Sequence, residues 1–483
     1  MSPRDSIEED KRQASVLEID RVDEESRPGV QYDRFGSAAK VDPVEIALVK
    51  KIDLYMMPTL WLMYFLNFLD RNAMVNGKLD DLDTDLGMTG NQYNTCVSIL
   101  FVGYLLGQVP SNMLLNRLRP SLYMAGFMTT WAVVSTLTCL VTNFKQMLVC
   151  RFLLGIVEAP FYPGALFMIS LFYNRKEAAT RMAWLYTGNM LASSFSGLIA
   201  SGVFAGLDGK HGLAGWQWLF LIQGVVTFAV AIGAFFCLPD SPLQTRWLTP
   251  AERQLAHDRI ARDTTHKRGA TSTWTGLREA CTDYRLWIFA LMCNLHLSAN
   301  GFKNFMPTVV KTLGFNRTIT LVLTCPPYLV ATFASVAVSW SSGHFNERTW
   351  HITISKALAI IGFAVACGTL NIGARYFAMV LFVGATYGVN NINIAWVAAT
   401  LGQTDEKKAV AIAVTNTLGN LASVYTPYLW PDSDAPRFVT AMVASIGFSA
   451  GVVILAWVMR VILVKENARI KASDDEAINF YAF

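Results

Sequence analysis

Long apolar runs alternate along this chain with short polar connections. A hydrocarbon core of about 30 Å needs about 20 apolar residues of helix, and twelve stretches approach or exceed that length. They run over 52–78, 92–114, 121–142, 146–172, 182–204, 217–238, 286–310, 319–341, 351–371, 375–400, 409–430 and 438–464. The pattern predicts an all-α membrane protein whose twelve transmembrane helices, spans 1 to 12, divide six and six. An N-terminal bundle at 52–238 and a C-terminal bundle at 286–464 flank a polar middle loop at 239–285. The mixed-charge ends, 1–51 and 465–483, are expected to be cytosolic tails, the first of them disordered.

The middle loop carries a helix start of its own. Thr249 is placed to cap, Pro250 to take the first helical position, and Glu252 to close a capping box. Leu255 and Ile260 mark one apolar side, so a short helix lying at the membrane surface is expected. Lys and Arg in the short loops are nearly balanced between the two sides. The basic middle loop, with Lys50, Lys51 and Arg460 beside the terminal spans, tips both termini to the cytosol.

Composition agrees with a membrane protein and narrows its chemistry. Only 16% of the residues are charged, against about a quarter in soluble domains. The net charge of +4 gives no case for nucleic acid. The cysteines show no metal-ligand spacing and read as packing residues. No phosphate-binding GxxxxGK[ST] loop is present, so ATP is not expected to drive the protein. No nucleophile–base or metal-ligand constellation stands out, so no enzymatic activity, cofactor or metal is expected.

Ionisable residues inside the spans are the candidate chemistry, because a charge at membrane depth normally faces a water-filled cavity or a partner. Span 1 holds Asp70 and Arg71, and span 4 holds Arg151 and Glu158. Arg151, Gly155 and Glu158 share one helix face. The two charges of span 4 stand about 10 Å apart along the axis, too far for an easy direct pair. Asp70 is therefore the obvious counter-ion for Arg151, which leaves Glu158 as a candidate proton acceptor. A purely structural charge network is the alternative. Pro160 and Pro163 would allow bending beside Glu158.

Arg71 could grip a carboxylate with two parallel hydrogen bonds, or snorkel to an interface. Span 7 offers His296, Asn300 and Lys303 on one face for the opposite wall of a cavity, although Lys303 could instead reach lipid headgroups. Asn390, Asn391 and Asn393 in span 10, with Asn416 and Asn420 in span 11, could bind substrate or join helices. Arg71, His296, Asn300, Lys303 and Asn390 are thus the candidate substrate-binding residues.

At these residues the chain resembles the major facilitator superfamily, specifically its anion:cation symporter family and the fungal allantoate permease branch. The resemblance runs from about residue 50 to 465. It is carried by NFLDRNAMVNGK, QVPSNMLLNRLRPS, RFLLGIVEAPFYPG with the following NRKEAATR, GWQWLFLIQG with LPDSP, FMPTVVKTLGF, and the PPY and SDAPRF stretches. It implies two six-helix bundles with alternating access and proton-driven uptake of small organic anions, such as vitamins or ureido acids, at the plasma membrane. Asp70 and Arg151 would pair, Arg71 would bind the substrate carboxylate, and Glu158 would take the proton. The expected partners are that substrate, protons and lipid, with the protein acting as a monomer. Gln223, where an acidic residue is usual, and SSGHFNER after span 8 depart from the pattern. An exporter and a non-transporting nutrient receptor on the same fold are the alternatives.

Overall fold

The computed structural model describes residues 43–115, 118–263, 273–402, 405–473 and residue 481. The chain divides into two units, Met1–Leu54 and Tyr55–Phe483. Of the expected disordered tail, residues 1–42 lie outside the described residues. Residues 43–51 are helical instead, the opening turns of the helix Pro43–Gly77. Pro43 takes the first helical position and Glu45 falls in the first turn, both favourable at a helix start.

Every described element of secondary structure is helical. Span 1 belongs to Pro43–Gly77, span 2 is Gln92–Leu115 and span 3 is Pro120–Leu137. Span 4 is broken into Phe144–Glu158 and Phe161–Phe172, and spans 5 and 6 are Arg175–Leu207 and Gly215–Cys237. Span 7 is also broken, into Tyr284–Ala299, a 3-10 turn Gly301–Asn304, and Met306–Lys311. Span 8 divides into Arg317–Leu323 and Cys325–His344, and spans 9 and 10 are Thr349–Gly368 and Ile372–Thr400. Span 11 runs Asp405–Asn420 and then Ala422–Tyr425, and span 12 is Val439–Ser473.

Among the described residues, nine helical runs are long and apolar enough to cross a membrane. Spans 2, 7 and 11 fall outside that set. The break in span 4 has a local cause: Pro160 has no N–H for the helix ladder. Non-helical backbone at membrane depth is tolerated where it lines a cavity, and the residues beside these breaks do line one.

Spans 2 and 4 touch backbone to backbone. A Cβ on Gly155 would fall on the Leu100 carbonyl, and one on Gly103 would fall on the Phe152 carbonyl. Only glycine fits both places, and small residues at such crossings are what let membrane helices approach. The contact fixes the rotation of span 4, and with it the directions of Arg151 and Glu158.

Where span 1 finishes and span 12 begins, the two halves are tied by charge. Lys78 Nζ donates to both oxygens of Asp432, at 2.7 and 2.9 Å. Arg317 reaches Asp80 and, at 3.0 Å, Asp208. Phe305 stacks on Trp430 between them, with ring centroids 5.5 Å apart.

The middle loop forms two helices, Pro250–Asp263 and Thr273–Thr282; the second was not expected from the sequence. The capping box at the first is closed, with Thr249 N–H donating to Glu252 and the Glu252 N–H to Thr249 Oγ1. Arg259 then holds both oxygens of Glu177, at 2.7 Å each, in the first turn of span 5. On the other side Asp283 accepts from Arg285 and from Lys407 Nζ, the latter at 2.8 Å. Partial burial works against its charge, but these cationic donors hold the Asp283 carboxyl down at about 2.

Candidate substrate cavity

Spans 1, 2, 4 and 5 of the first half and spans 7, 8, 10 and 11 of the second surround a cavity of about 190 Å³. Its ionisable lining consists of Arg71, Arg151 and Lys303 against a single carboxylate, Glu158. Tyrosines on both halves, among them Tyr64, Tyr104, Tyr186 and Tyr328, supply much of the remaining wall. Of the candidate binding residues, Arg71, Asn300, Lys303 and Asn390 face this cavity, as do Asn416 and Asn420. His296 does not line it. It lies one turn before Asn300, fully buried, with Nε2 3.2 Å from the Asn300 amide nitrogen.

The charge pairing differs from the expected one. Arg71 Nε donates to Glu158 Oε2 at 2.5 Å, and the guanidinium also stands 4.9 Å from the centre of the Tyr104 ring. Asp70 and Arg151 make no ion pair. Asp70 is buried and accepts from Thr227 Oγ1 of span 6 at 3.3 Å, with its other oxygen unpartnered. Arg151 donates from Nε to the Met74 sulfur at 3.0 Å, lies over Phe220, and leaves Nη1 without a partner.

Helix geometry explains the exchange. Neighbouring residues on a helix point about 100° apart, so Asp70 and Arg71 cannot both face span 4. The two spans run antiparallel, which sets Arg71 opposite Glu158 and Met74 opposite Arg151. Asp70 turns away toward span 6. The sequence could not disclose which of the adjacent charges faced span 4, because that depends on the rotation set by the glycine crossing. The cavity tyrosines were missed as well, since an aromatic at helical spacing in an apolar run looks the same lining a cavity or facing lipid.

Lys303 enters the cavity from the 3-10 turn of span 7, with its ammonium 5.9 Å from the Phe101 ring of span 2. It also borders a smaller chamber shared with Asn72, Asn76, Ser196 and Thr324. The arrangement is an enclosure with excess positive charge, hydrogen-bonding amides and aromatic faces, divided between two helical halves.

The sequence model of the Major Facilitator Superfamily matches residues 60–427, most of the chain. This chain belongs to the major facilitator superfamily. Its relatives include the MFS-type transporter cnsO of Penicillium expansum, 32% identical over 441 residues, covering 87% of this chain and 84% of the relative. The major facilitator-type transporter hxnP of Emericella nidulans is 32% identical over 432 residues, covering 85% and 84%. Among solved structures, the fold matches a bacterial homologue of the human lysosomal transporter Spinster with a TM-score of 0.66, at 17% identity, over 85% of this chain and 97% of that one. A D-xylose–proton symporter matches with a TM-score of 0.62, also at 17% identity, over 84% and 97%. As a superfamily member the protein is a multi-pass membrane transporter of helical fold, and a small molecule is the cargo that fold suggests.

Proposed function

We propose that this transporter imports a small organic anion together with protons, in the manner of the anion:cation symporters, with the proton gradient as its driving force. The reading rests on one observation above all: three cations and one carboxylate line the cavity, and that carboxylate, Glu158, is held by Arg71. A substrate carboxylate and Glu158 then compete for the same guanidinium. Protonation of Glu158 releases Arg71, whose planar fork is suited to grip the incoming anion. Lys303 draws the anion from the opposite half, and Asn300 and Asn390 satisfy its neutral hydrogen-bonding groups. Because these groups belong to different halves, a bound anion favours closure of the halves around it, the step that alternating access requires. The protein works as a monomer at the plasma membrane, with both termini in the cytosol.

The test is a screen of radiolabelled carboxylates in permease-deficient cells at acidic and neutral external pH. Accumulation of one carboxylate, stronger at acidic pH and abolished by a protonophore, is the expected result. Uptake confined to neutral solutes, or accumulation indifferent to the proton gradient, overturns the reading.

A further inference from the structure

Of the three cations in the cavity lining, Arg71 alone holds a carboxylate among the described residues. Arg151 of span 4 lines the same cavity and is only 3% exposed. Its Nε donates to the Met74 sulfur at 3.0 Å, and its guanidinium carbon lies 5.8 Å from the centre of the Phe220 ring. Neither neighbour carries charge, and Nη1 has no hydrogen-bond partner. A thioether is a weak acceptor and a ring face a weak counter-charge. A guanidinium removed from water needs an anion, and this one has none.

The two carboxylates that could serve are turned elsewhere. Glu158 gives Oε2 to Arg71 and stands seven residues from Arg151 along span 4, about 10 Å of rise. Asp70 faces Thr227 of span 6. No other carboxylate lines the cavity among the described residues.

We propose that Arg151 is a second anion-binding residue, and that the substrate is a dicarboxylate held by Arg71 at one end and by Arg151 at the other. This deepens, and rests on, the anion reading above. A guanidinium keeps its charge in any surroundings, so both arginines require an anion whatever the state of Glu158. A monocarboxylate satisfies one of them and leaves the other buried and unpaired. Spacing agrees with two groups on one molecule. Arg71 and Met74 lie three residues apart on span 1, and Glu158 and Arg151 seven apart on span 4. Each guanidinium touches one residue of the facing span, so the two stand between about 5 and 10 Å apart along the bundle. Two carboxylates joined by a short chain fit that interval, each accepting charge-assisted hydrogen bonds. Leu100 lines the cavity at the level of Gly155, between the two charged residues of span 4, and offers the chain an apolar wall.

The experiment is calorimetric titration of purified full-length protein at about pH 7, where both carboxyls of a free diacid are ionised. The probes are malonate, succinate, glutarate and adipate, each beside its monomethyl ester, which keeps one carboxylate and nearly the same length. Wild type is expected to bind at least one diacid about tenfold or more tighter than its half-ester. Arg151→Gln should bind the two forms of that acid alike. Equal binding of diacids and half-esters by wild type overturns the inference and leaves the single-carboxylate reading standing. An Arg151→Gln protein that keeps the preference also overturns it, and loss of the preference in Lys303→Gln alone would put the second carboxylate on the lysine. Silence from every probe overturns it as well, and the uptake screen above then judges the anion reading separately. The preference is a ratio within one variant, so a general loss of stability does not imitate it. Arg151→Met replaces the glutamine variant if that one fails gel filtration.

Discussion

Arg71 and Glu158 join spans 1 and 4 through a 2.5 Å hydrogen-bonded ion pair whose carboxylate is wholly buried. Removing one partner of such a pair strands the other charge, at a cost of about 3–5 kcal/mol. Arg71→Ala is therefore expected to lower the thermal midpoint of the purified protein sharply. Adding Glu158→Gln should restore much of it, because the stranded carboxylate is gone. Strictly additive losses from the two single variants would show that the side chains do not depend on one another.

The same pair predicts a separation of transport modes. Glu158→Gln imitates the protonated carboxyl permanently, so Arg71 stays free for substrate. Exchange of labelled for unlabelled substrate across a proteoliposome membrane should persist. Accumulation driven by an inward proton gradient should vanish. Undiminished concentration by the variant would place the coupling proton elsewhere, with His296 and Asp70 next to be examined.

The twelve apolar runs were legible because their length answers to the bilayer and to nothing else about the fold. The charges at membrane depth were legible for the same reason: Asp70, Arg71, Arg151, Glu158 and Lys303 stand out wherever a span is otherwise apolar. Their pairing was not. Whether Asp70 or Arg71 meets span 4 depends on helix rotation, set by the Gly103 and Gly155 approach between spans 2 and 4. Lys356, wholly buried in span 9, was overlooked although the signal was present, a single lysine in the apolar run ITISKALAI. His296 looked like a cavity residue because it shares a face with Asn300, but span 7 turns Leu297, Asn300 and Lys303 to the cavity and leaves His296 wholly buried.

Lys78 and Asp432 tie the two halves where span 1 finishes and span 12 begins, and the alternating access proposed above requires that end to open. Asp432 is more than half exposed and screened by water, so the pair itself should contribute no more than about 1 kcal/mol. A covalent tie should act very differently. Lys78→Cys with Asp432→Cys, bridged by a short thiol-reactive crosslinker, is expected to stop transport, and a reductively cleavable linker should give it back on reduction. Full activity in the bridged protein would mean that this end stays closed throughout the cycle.

Gly155 lies between Arg151 and Glu158 on the face that meets span 2. A valine there would drive its Cβ into the Leu100 carbonyl, a backbone atom that cannot step aside. Overpacking of this kind typically costs about 1–3 kcal/mol. Here it also rotates or displaces the two charged neighbours. Gly155→Val should lower both the thermal midpoint and the transport rate, whereas Gly126→Ala, at a glycine of span 3 with open space around it, should change neither. A Gly155→Val protein with unaltered midpoint and uptake would contradict the close approach of spans 2 and 4.

Asp283 gives a prediction about what pH does not change. Its carboxyl is held down at about 2 by Arg285 and Lys407, below its value in the unfolded chain of about 3.9. A depressed carboxyl contributes stability that is fully present above the unfolded value and is lost only as pH falls toward the folded one. The tie between Asp283, ahead of span 7, and Lys407, at the start of span 11, should therefore be intact from about pH 5 to 8. Asp283→Asn should lower the thermal midpoint by the same amount at each pH in that range, with the difference shrinking only in stronger acid. A difference that already fades between pH 7 and 5 would mean that Asp283 titrates as a raised carboxyl, and that Lys407 is not its partner.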